Sequence, residues 1–209
     1  MARPSSRSGP THREQVISRI YEATGDLIEK IGYDDISIAD VAEACGMSRT
    51  AMYNYFADKT DLLIGYVAHE TEGYILRLDD ALRPVDNPVD QLRTYIRLQL
   101  EYFSDNHLPP GPELRLLLPA SAAAQAQAHV MMLEERLTAI VAAGRDRRYL
   151  VADDIPSTVA MISACIGRAS AVKDETPLDE QIASTEEFVL RAVGVRIDAN
   201  DRPRKLPRR

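Results

Sequence analysis

The sequence predicts an all-α protein with an N-terminal three-helix head that contains a helix-turn-helix, and a larger C-terminal helical body. Apolar residues recur at helical spacing along the chain, most regularly at positions 92, 95, 96, 100 and 103. Prolines and glycines separate the periodic segments from one another. No segment shows the alternation of apolar and polar residues that is typical of a half-buried strand, and no motif repeats at a fixed period.

The head is expected to begin with one long helix. Residues 1–10 are rich in serine and proline, which predicts a disordered basic tail. Thr11, with Glu14 three residues later, marks the start of the first helix, and Gly32 marks its end. The predicted inner stripe of this helix comprises Val16, Ile20, Ala23, Leu27 and Ile31.

Residues 37–63 carry the most specific pattern in the chain. Ser37 and Asp40 form the S-x-x-D pattern of a capping box, which predicts a helix that begins after Ser37. Gly46 supplies the positive φ that a tight turn between two helices requires. Ser48 can then cap a second short helix over residues 49–56. Two helices joined in this way predict a helix-turn-helix.

The second short helix has two chemically different sides. Met52 and Phe56, four residues apart, would face inward. The outer side and its flanks would carry Arg49, Thr50, Tyr53, Asn54 and Tyr55. Such side chains supply hydrogen-bond donors and acceptors for base edges, and hydroxyls for phosphates, which indicates binding of double-stranded DNA.

The body follows as a series of helices after Thr60. We predict a head over residues 11–59, a body over 60–198 and a basic tail over 199–209. Proline-rich residues 105–112 predict a loop. The helices predicted in the body span residues 60–82, 88–104, 113–118, 121–143, 156–172 and 177–194.

The segment from about Thr11 to Leu63 resembles the DNA-binding domain of the tetracycline-repressor family of bacterial transcription regulators. The matching motifs are Gly32-Tyr33, Ser37, Ala42-x-x-x-Gly46 and Tyr53-x-Tyr55-Phe56-x-x-Lys59. Two departures are Thr50, where the family often has glycine, and Cys45, just before the turn glycine. The resemblance implies a homodimeric repressor whose affinity for a palindromic operator falls when a small-molecule effector enters the body.

The resemblance also implies roles for individual residues. Arg49, Thr50 and Asn54 would contact base edges, and Phe56 would hold the helix against the core of the head. The side chains that would bind phosphates are Ser37, Tyr53, Tyr55 and Lys59. Ser48, at the start of the second short helix, would also belong to the DNA-binding surface. A change in the body would reach the head through the helix that begins at Thr60.

Several body residues combine adaptable apolar surface with polar groups, as sites for small molecules do. These effector candidates are Tyr66, Tyr74, Tyr95, Gln99, Tyr102, Phe103, Met131, Met132 and Met161. Gln99 interrupts an apolar stripe, so its amide must find a hydrogen-bond partner. Arg97, Arg115 and Arg136 could meet an anionic effector. Alternatively, these apolar residues pack the core and the arginines are surface charges.

The last two helices suggest how a dimer could form. Residues 159–171 intersperse Val159, Ile162 and Ile166 with small residues, and Gly167 would allow close approach of another helix. The final helix offers Leu178, Ile182, Val189 and Val193. The resemblance implies that these helices pair across a two-fold axis, whereas the residues alone equally allow them to pack the monomer's own core.

Charge is unevenly distributed over the 209 residues. The net charge of −7 argues against indiscriminate coating of nucleic acid. Residues 1–13 and 202–209 contain bases and no acid, whereas the segment between them has 17 bases against 32 acids. Arg3, Arg7 and Arg13 could therefore form an arm that reaches DNA, or simply a solvated tail.

Other functions find little support in the sequence. Cys45 and Cys165 are predicted to be buried free thiols, and the four histidines lack the spacing of metal ligands. Phosphate-binding and nucleophile motifs are absent, so we expect no cofactor and no enzyme. No signal peptide or membrane span is evident, which predicts a cytoplasmic protein without a membrane partner. The alternatives are a ligand-sensing or interaction protein without operator binding and, less favoured, a helical-bundle enzyme.

Overall fold

A computed structural model describes residues 12–32, 34–105, 120–171 and 176–207. The chain divides into two compact units, Met1–His69 and Glu70–Arg209, and the division falls within one helix. The prediction of an all-α protein is confirmed, because helices dominate the described residues. The predicted tail at 1–10, the start of the first helix at Thr11, residues 106–112 of the loop predicted over 105–112 and the helix at 113–118 lie outside the described residues. Asp105 still belongs to a helix.

The described helices agree closely with the predicted ones in position. They are α1 His12–Ile31, α2 Ile38–Ala44, α3 Arg49–Met52, α4 Lys59–Leu82, α5 Pro88–Asp105, α6 Ala120–Asp146, α7 Ile155–Ala171 and α8 Leu178–Ala192. A short antiparallel sheet, β1 Arg196–Ile197 and β2 Pro203–Arg204, follows α8.

In the first unit, α2 packs against both α1 and α3. Val41 and Met52 are fully buried in this core, and the small side chain of Ala42 is buried with them. The predicted inner stripe of α1 is partly wrong. The buried positions are Val16, Ile20, Thr24 and Ile28, which follow one another in steps of four residues. Ile31 is exposed.

The capping box and the turn are confirmed. The Ser37 backbone N–H donates to Asp40 Oδ2 at 2.8 Å, and the Asp40 N–H donates to Ser37 Oγ at 3.3 Å. The hydrogen bonds from Ser37 hold the pKa of the Asp40 carboxyl below its usual range. Gly46 has φ +66° and leads into a 2.8 Å hydrogen bond from Met47 N to Ala42 O.

The second helix of the helix-turn-helix, α3, is shorter than predicted. Regular α-helix ends at Met52 rather than Phe56. The chain then tightens, because Asn54 N donates to Ala51 O and Tyr55 N donates to Met52 O, each across three residues. A final bond from Phe56 N to Met52 O closes the turn and brings Phe56 back into the core.

The second unit is organised around α5, which packs against α6, α7 and α8. Val89, Leu92, Ile96 and Leu100 are buried along its length. The apolar stripes that we considered for a dimer belong largely to this core. Buried members of those stripes are Val159, Ile162, Ile166, Ile182, Val189 and Val193, and Leu178 packs partly buried beside them.

The C-terminal segment departs from the predicted basic tail. β1 and β2 pair in a hairpin, and Asp198 Oδ1 accepts hydrogen bonds from the backbone of Asn200 and Arg202. Leu206 N then donates to Arg148 O at 2.6 Å, which ties the segment to the end of α6. Strands of two residues are too short to produce an alternating sequence pattern. Arg208 and Arg209 lie outside the described residues.

A buried polar pair interrupts the apolar core of the second unit. The Tyr74 hydroxyl donates to Gln99 Oε1 at 2.9 Å, which supplies the partner that Gln99 was predicted to need. Burial raises the pKa of Tyr74, so the phenol remains a hydrogen-bond donor at neutral pH. Tyr102 stacks on Tyr74 with 4.4 Å between ring centroids.

The turn glycine provides a test of the head. No atom of the described residues lies within 4 Å of a Cβ added at Gly46, so Gly46→Ala would incur the backbone cost of left-handed φ alone, about 1–2 kcal/mol. Gly73→Ala in α4 is the matched control, since among the described residues a Cβ there would meet only the Arg77 side chain, at an ordinary contact distance of 3.7 Å, and we expect stabilisation by about 0.5–1 kcal/mol. Chemical denaturation measures both. Equal effects of the two substitutions would contradict the role assigned to Gly46.

The Tyr74–Gln99 pair predicts a strong non-additivity. Tyr74→Phe leaves Gln99 Oε1 buried without this donor and should lower the free energy of unfolding by about 1–3 kcal/mol. The double variant Tyr74→Phe/Gln99→Leu removes both polar groups and should be less destabilised than the sum of the single variants. Urea unfolding of the three variants gives the coupling energy. Additive losses would show that the bond contributes little.

Candidate nucleic-acid interface

The outer side of α3, together with the turn that follows it, presents a set of exposed polar side chains. Arg49, Thr50, Tyr53 and Asn54 are exposed, whereas Met52 on the opposite side is fully buried. Thr50 and Asn54 donate or accept no side-chain hydrogen bond with any described residue. Their polar groups therefore remain available to a ligand that approaches this side of the helix.

Arg49 and Tyr53 interact with each other. Nε and Nη2 of Arg49 each lie 3.3 Å from the Tyr53 hydroxyl, which accepts from the guanidinium. The guanidinium carbon also lies 5.9 Å from the centroid of the Tyr53 ring. We assigned Arg49 to bases and Tyr53 to phosphates separately, but the structure joins them into one unit. The i, i+4 spacing was the signal that could have revealed this pair.

Tyr55 and Lys59 lie at the edge of this surface and are half-buried. Tyr55 packs against the core of the head, and the Arg13 guanidinium lies 5.2 Å from the centroid of its ring. Lys59 Nζ donates to Asp34 O at 2.9 Å. Both residues thus contribute to the structure of the head, and Arg13, assigned to the tail, belongs beside Tyr55. Arg3 and Arg7 lie outside the described residues, as does Tyr33 from the matched motif.

The two serines act chiefly as helix caps. Ser48 Oγ accepts from Ala51 N at 3.1 Å, and Ser37 Oγ donates to Asp40 Oδ2 at 2.6 Å. The Ser37 hydroxyl proton is therefore already held by a carboxylate. A phosphate near Ser37 would compete with Asp40 for that proton, so its predicted phosphate contact is weaker than that of a free hydroxyl.

The effector candidates separate into three environments. Tyr74, Tyr95 and Gln99 are buried in the second unit, with Tyr102 and Phe103 half-buried near them. Tyr66 belongs to the first unit, where it packs against the ring of Tyr21. The methionines are exposed, unlike the buried tyrosines. Their exposed fractions are 53% for Met131, 38% for Met132 and 62% for Met161.

The arginines considered for an anionic effector have partners in the chain. Arg136 binds both carboxylate oxygens of Asp79, each at 2.7 Å, and this contact lowers the pKa of the Asp79 carboxyl. Arg97 lies 3.8 Å from Glu186. Arg115 is outside the described residues. Arg136 thus stabilises the second unit by joining α4 to α6.

Other site chemistries find no support among the described residues. No group of three His, Cys, Asp or Glu side chains in this part of the chain could hold a metal ion. None of its helices is long and apolar enough to cross a membrane. Cys45 and Cys165 are free but only half-buried, which corrects the expectation of full burial. His107, and the side chain of His129, lie outside the described part.

Comparison with known proteins places this geometry in a family. Residues 20–65 match the family model described as bacterial regulatory proteins, tetR family. The HTH-type transcriptional regulator BetI of Ectopseudomonas mendocina (strain ymp) is 26% identical over 125 residues. That alignment covers 60% of this chain and 61% of BetI, so the chain spans about three fifths of that relative's length.

Solved structures share the fold over most of the chain. A TetR-family regulator from Agrobacterium tumefaciens has a TM-score of 0.73 at 20% identity, covering 86% of this chain and 98% of its own. A protein from Saccharomonospora viridis, described as a transcriptional regulator in complex with choline, has a TM-score of 0.74 at 18% identity. Its alignment covers 84% of this chain and 95% of that protein. Residues 20–65 thus carry the helix-turn-helix of the tetR family model, and the chain shares its fold with solved regulators of that family.

Proposed function

We propose that this protein is a DNA-binding transcriptional regulator of the cytoplasm, a repressor released from a palindromic operator by a small-molecule effector. The observation that carries the proposal is the two-sided α3. The exposed side of α3 and of the turn after it presents Arg49, Thr50, Tyr53 and Asn54, while Met52 anchors the opposite side. The transcription regulators that this chain resembles are not enzymes, which argues against the alternative of a helical-bundle enzyme.

Recognition in this proposal divides between bases and backbone. Arg49 and Asn54 carry the forked donors and the amide that suit guanine and adenine edges in the major groove. Tyr55 and Lys59, held at the edge of the surface, bind phosphates and set the register of the head. Since the whole chain carries a net charge of −7, attraction to DNA must be local to the head.

The dimer is proposed to form through the outward faces of α7 and α8, which pack against each other. On α7, Ala160, Met161 and Ala164 are exposed, and on α8, Ser184 and Phe188 are exposed. Small residues allow helices to approach closely, while the large side chains, Met161 and the 60% exposed Phe188, supply apolar area to bury. A second copy of the chain offers the same faces, as a two-fold interface requires.

The effector is proposed to enter the second unit near Tyr74, Gln99, Tyr102 and Phe103. Aromatic rings beside a polar pair suit an organic cation, because a cation is attracted to the face of an aromatic ring. The choline bound by the Saccharomonospora viridis protein makes choline the first compound to test. Tyr74 lies on α4, which begins in the first unit, so a shift of α4 would carry the signal to the head.

The reading surface predicts two classes of variant. Arg49→Ala and Asn54→Ala should change which operator variants are preferred, because each hydrogen-bonded base contact contributes about 1–3 kcal/mol of discrimination. Lys59→Ala should weaken all sequences alike and reduce the salt slope by about one. Affinity titrations across an operator library at several salt concentrations measure both effects. Folding of Lys59→Ala must be checked because this side chain also binds the Asp34 carbonyl.

Two outcomes would contradict this assignment. Equal losses on every sequence for Arg49→Ala would exclude it as a base reader. Absence of any sequence-specific duplex binding by the intact protein would favour the alternative, a ligand-sensing or interaction protein without operator binding. Tyr53→Phe tests the Arg49–Tyr53 pair by itself, since it removes the hydroxyl that accepts from Arg49 while leaving the ring in place.

The dimer faces predict a specific loss of assembly. Phe188→Asp should shift the protein to monomer at micromolar concentration and abolish tight operator binding, because it places a charge in the proposed apolar interface. Gly167→Leu should act in the same direction, since nothing in the described chain lies within 4 Å of a Cβ there. Leu76→Asp is the control, as Leu76 is an equally exposed apolar residue on α4. Sedimentation of a dimeric Phe188→Asp would refute the interface.

A further inference from the structure

A surface cavity of about 480 Å³ lies where the C-terminal hairpin meets the end of α6, apart from the residues assigned to DNA and effector. Its floor is apolar, formed by Leu150, Val151, Ala152, Leu206 and Pro207. Its polar lining consists of Arg145, Arg148, Arg196 and a single carboxylate, Asp153. Val151 is 44% exposed, so apolar surface remains uncovered within the cavity.

The arginines of this cavity are only partly neutralised. Arg145 donates from Nε and Nη2 to its neighbour Asp146, at 3.0 and 2.9 Å. Arg196 makes no side-chain hydrogen bond or ion pair with any described residue. Among the described residues, three arginines thus face two carboxylates, Asp153 in the cavity and Asp146 beside it, which leaves positive charge in a protein whose net charge is −7.

A second cavity does not share this excess of positive charge. In the groove of about 560 Å³ between α5 and α8, each arginine faces an acid of the same groove. Arg93 binds Asp201 at 2.7 Å, and Arg191 binds Glu187. That groove is charge-balanced by its own side chains, whereas the cavity at the end of α6 is not.

The backbone at Arg148 supplies an independent observation. Arg148 has φ +62°, a left-handed conformation that favours glycine, at the end of α6. Arg148 N donates to Arg145 O and Tyr149 N donates to Gly144 O, the bonds of a helix end at which glycine is the usual residue. An arginine here carries a backbone cost that glycine would avoid, so its side chain is a candidate for function.

We propose that this cavity binds a small organic anion that combines a carboxylate with a short apolar chain. A guanidinium group matches a carboxylate in geometry and charge, and Arg196 and Arg148 both line the cavity. The apolar chain would cover Val151 and the Leu206–Pro207 wall, which matches the apolar lining of small-molecule sites. The site is separate from the effector residues of the proposed function and does not depend on DNA binding.

Titration calorimetry of the full-length protein with a series from acetate to octanoate tests the proposal, with inorganic phosphate and hexanamide as further probes. We expect affinity to rise with chain length and hexanamide to bind more weakly than hexanoate. Arg196→Ala should weaken hexanoate binding by roughly tenfold or more, the loss typical of a charge-assisted hydrogen bond. Arg202→Ala removes the same charge from the exposed turn of the hairpin and should leave affinity unchanged.

Arg148→Gly separates ligand binding from a structural role. Glycine relieves the left-handed backbone, so the thermal midpoint should equal or exceed that of the wild type while hexanoate affinity falls. No binding of any carboxylate, equal affinity of wild type and Arg196→Ala, or equal loss in Arg202→Ala would each overturn the proposal. A lowered midpoint with unchanged affinity in Arg148→Gly would show that Arg148 only fastens the C-terminal segment.

Discussion

The burial of Met52 and Phe56 is the interaction on which the reading surface depends. A helix of four residues has no stability of its own, because forming its first turn orders several residues for a single hydrogen bond. It persists because Met52 is fully buried in the core of the head and Phe56 returns to that core after the turn. The directions of Arg49, Thr50 and Asn54 are thereby set by side chains that never meet a ligand, which is how a rigid scaffold positions a binding surface.

In the second unit, the same balance of buried apolar and polar groups bears on effector binding. The Tyr74 hydroxyl and Gln99 Oε1 satisfy each other through a hydrogen bond within the core. An effector that takes either group must replace that bond, so specificity would come from which polar group can substitute for a phenol or an amide. The bidentate Arg136–Asp79 pair restrains the same helix, α4, and any shift of α4 must act against it. These contacts are what the proposed effector would have to overcome.

Local signals predicted most of the fold, and the exceptions have physical reasons. The capping box at Ser37, the turn at Gly46 and the periodic apolar residues of α5 are encoded within a few residues of sequence, so they could be read directly. The early end of α3 could not, because the preference for tighter turns after Met52 arises from returning Phe56 to the core. The hairpin after α8 depends on hydrogen bonds of Asp198 and on Leu206 meeting Arg148, 58 residues away. Exposure of Met131 and Met161 also escaped prediction, since an apolar residue at helical spacing does not reveal what covers it.

That last limit is clearest on α7 and α8. The sequence left open whether their apolar residues pack the monomer or a second copy, and the structure assigns Ile162, Ile166 and Val189 to the chain's own core. The proposed dimer therefore rests on different residues, the small side chains of α7 together with Met161 and Phe188. Met161 and Phe188 are large apolar side chains, and each is exposed by about 60%. Exposed apolar patches commonly mark interaction sites. If a second copy covers them through a two-fold axis, the two reading helices are related by the same axis. A palindromic operator then follows from symmetry alone, whichever bases Arg49 and Asn54 select.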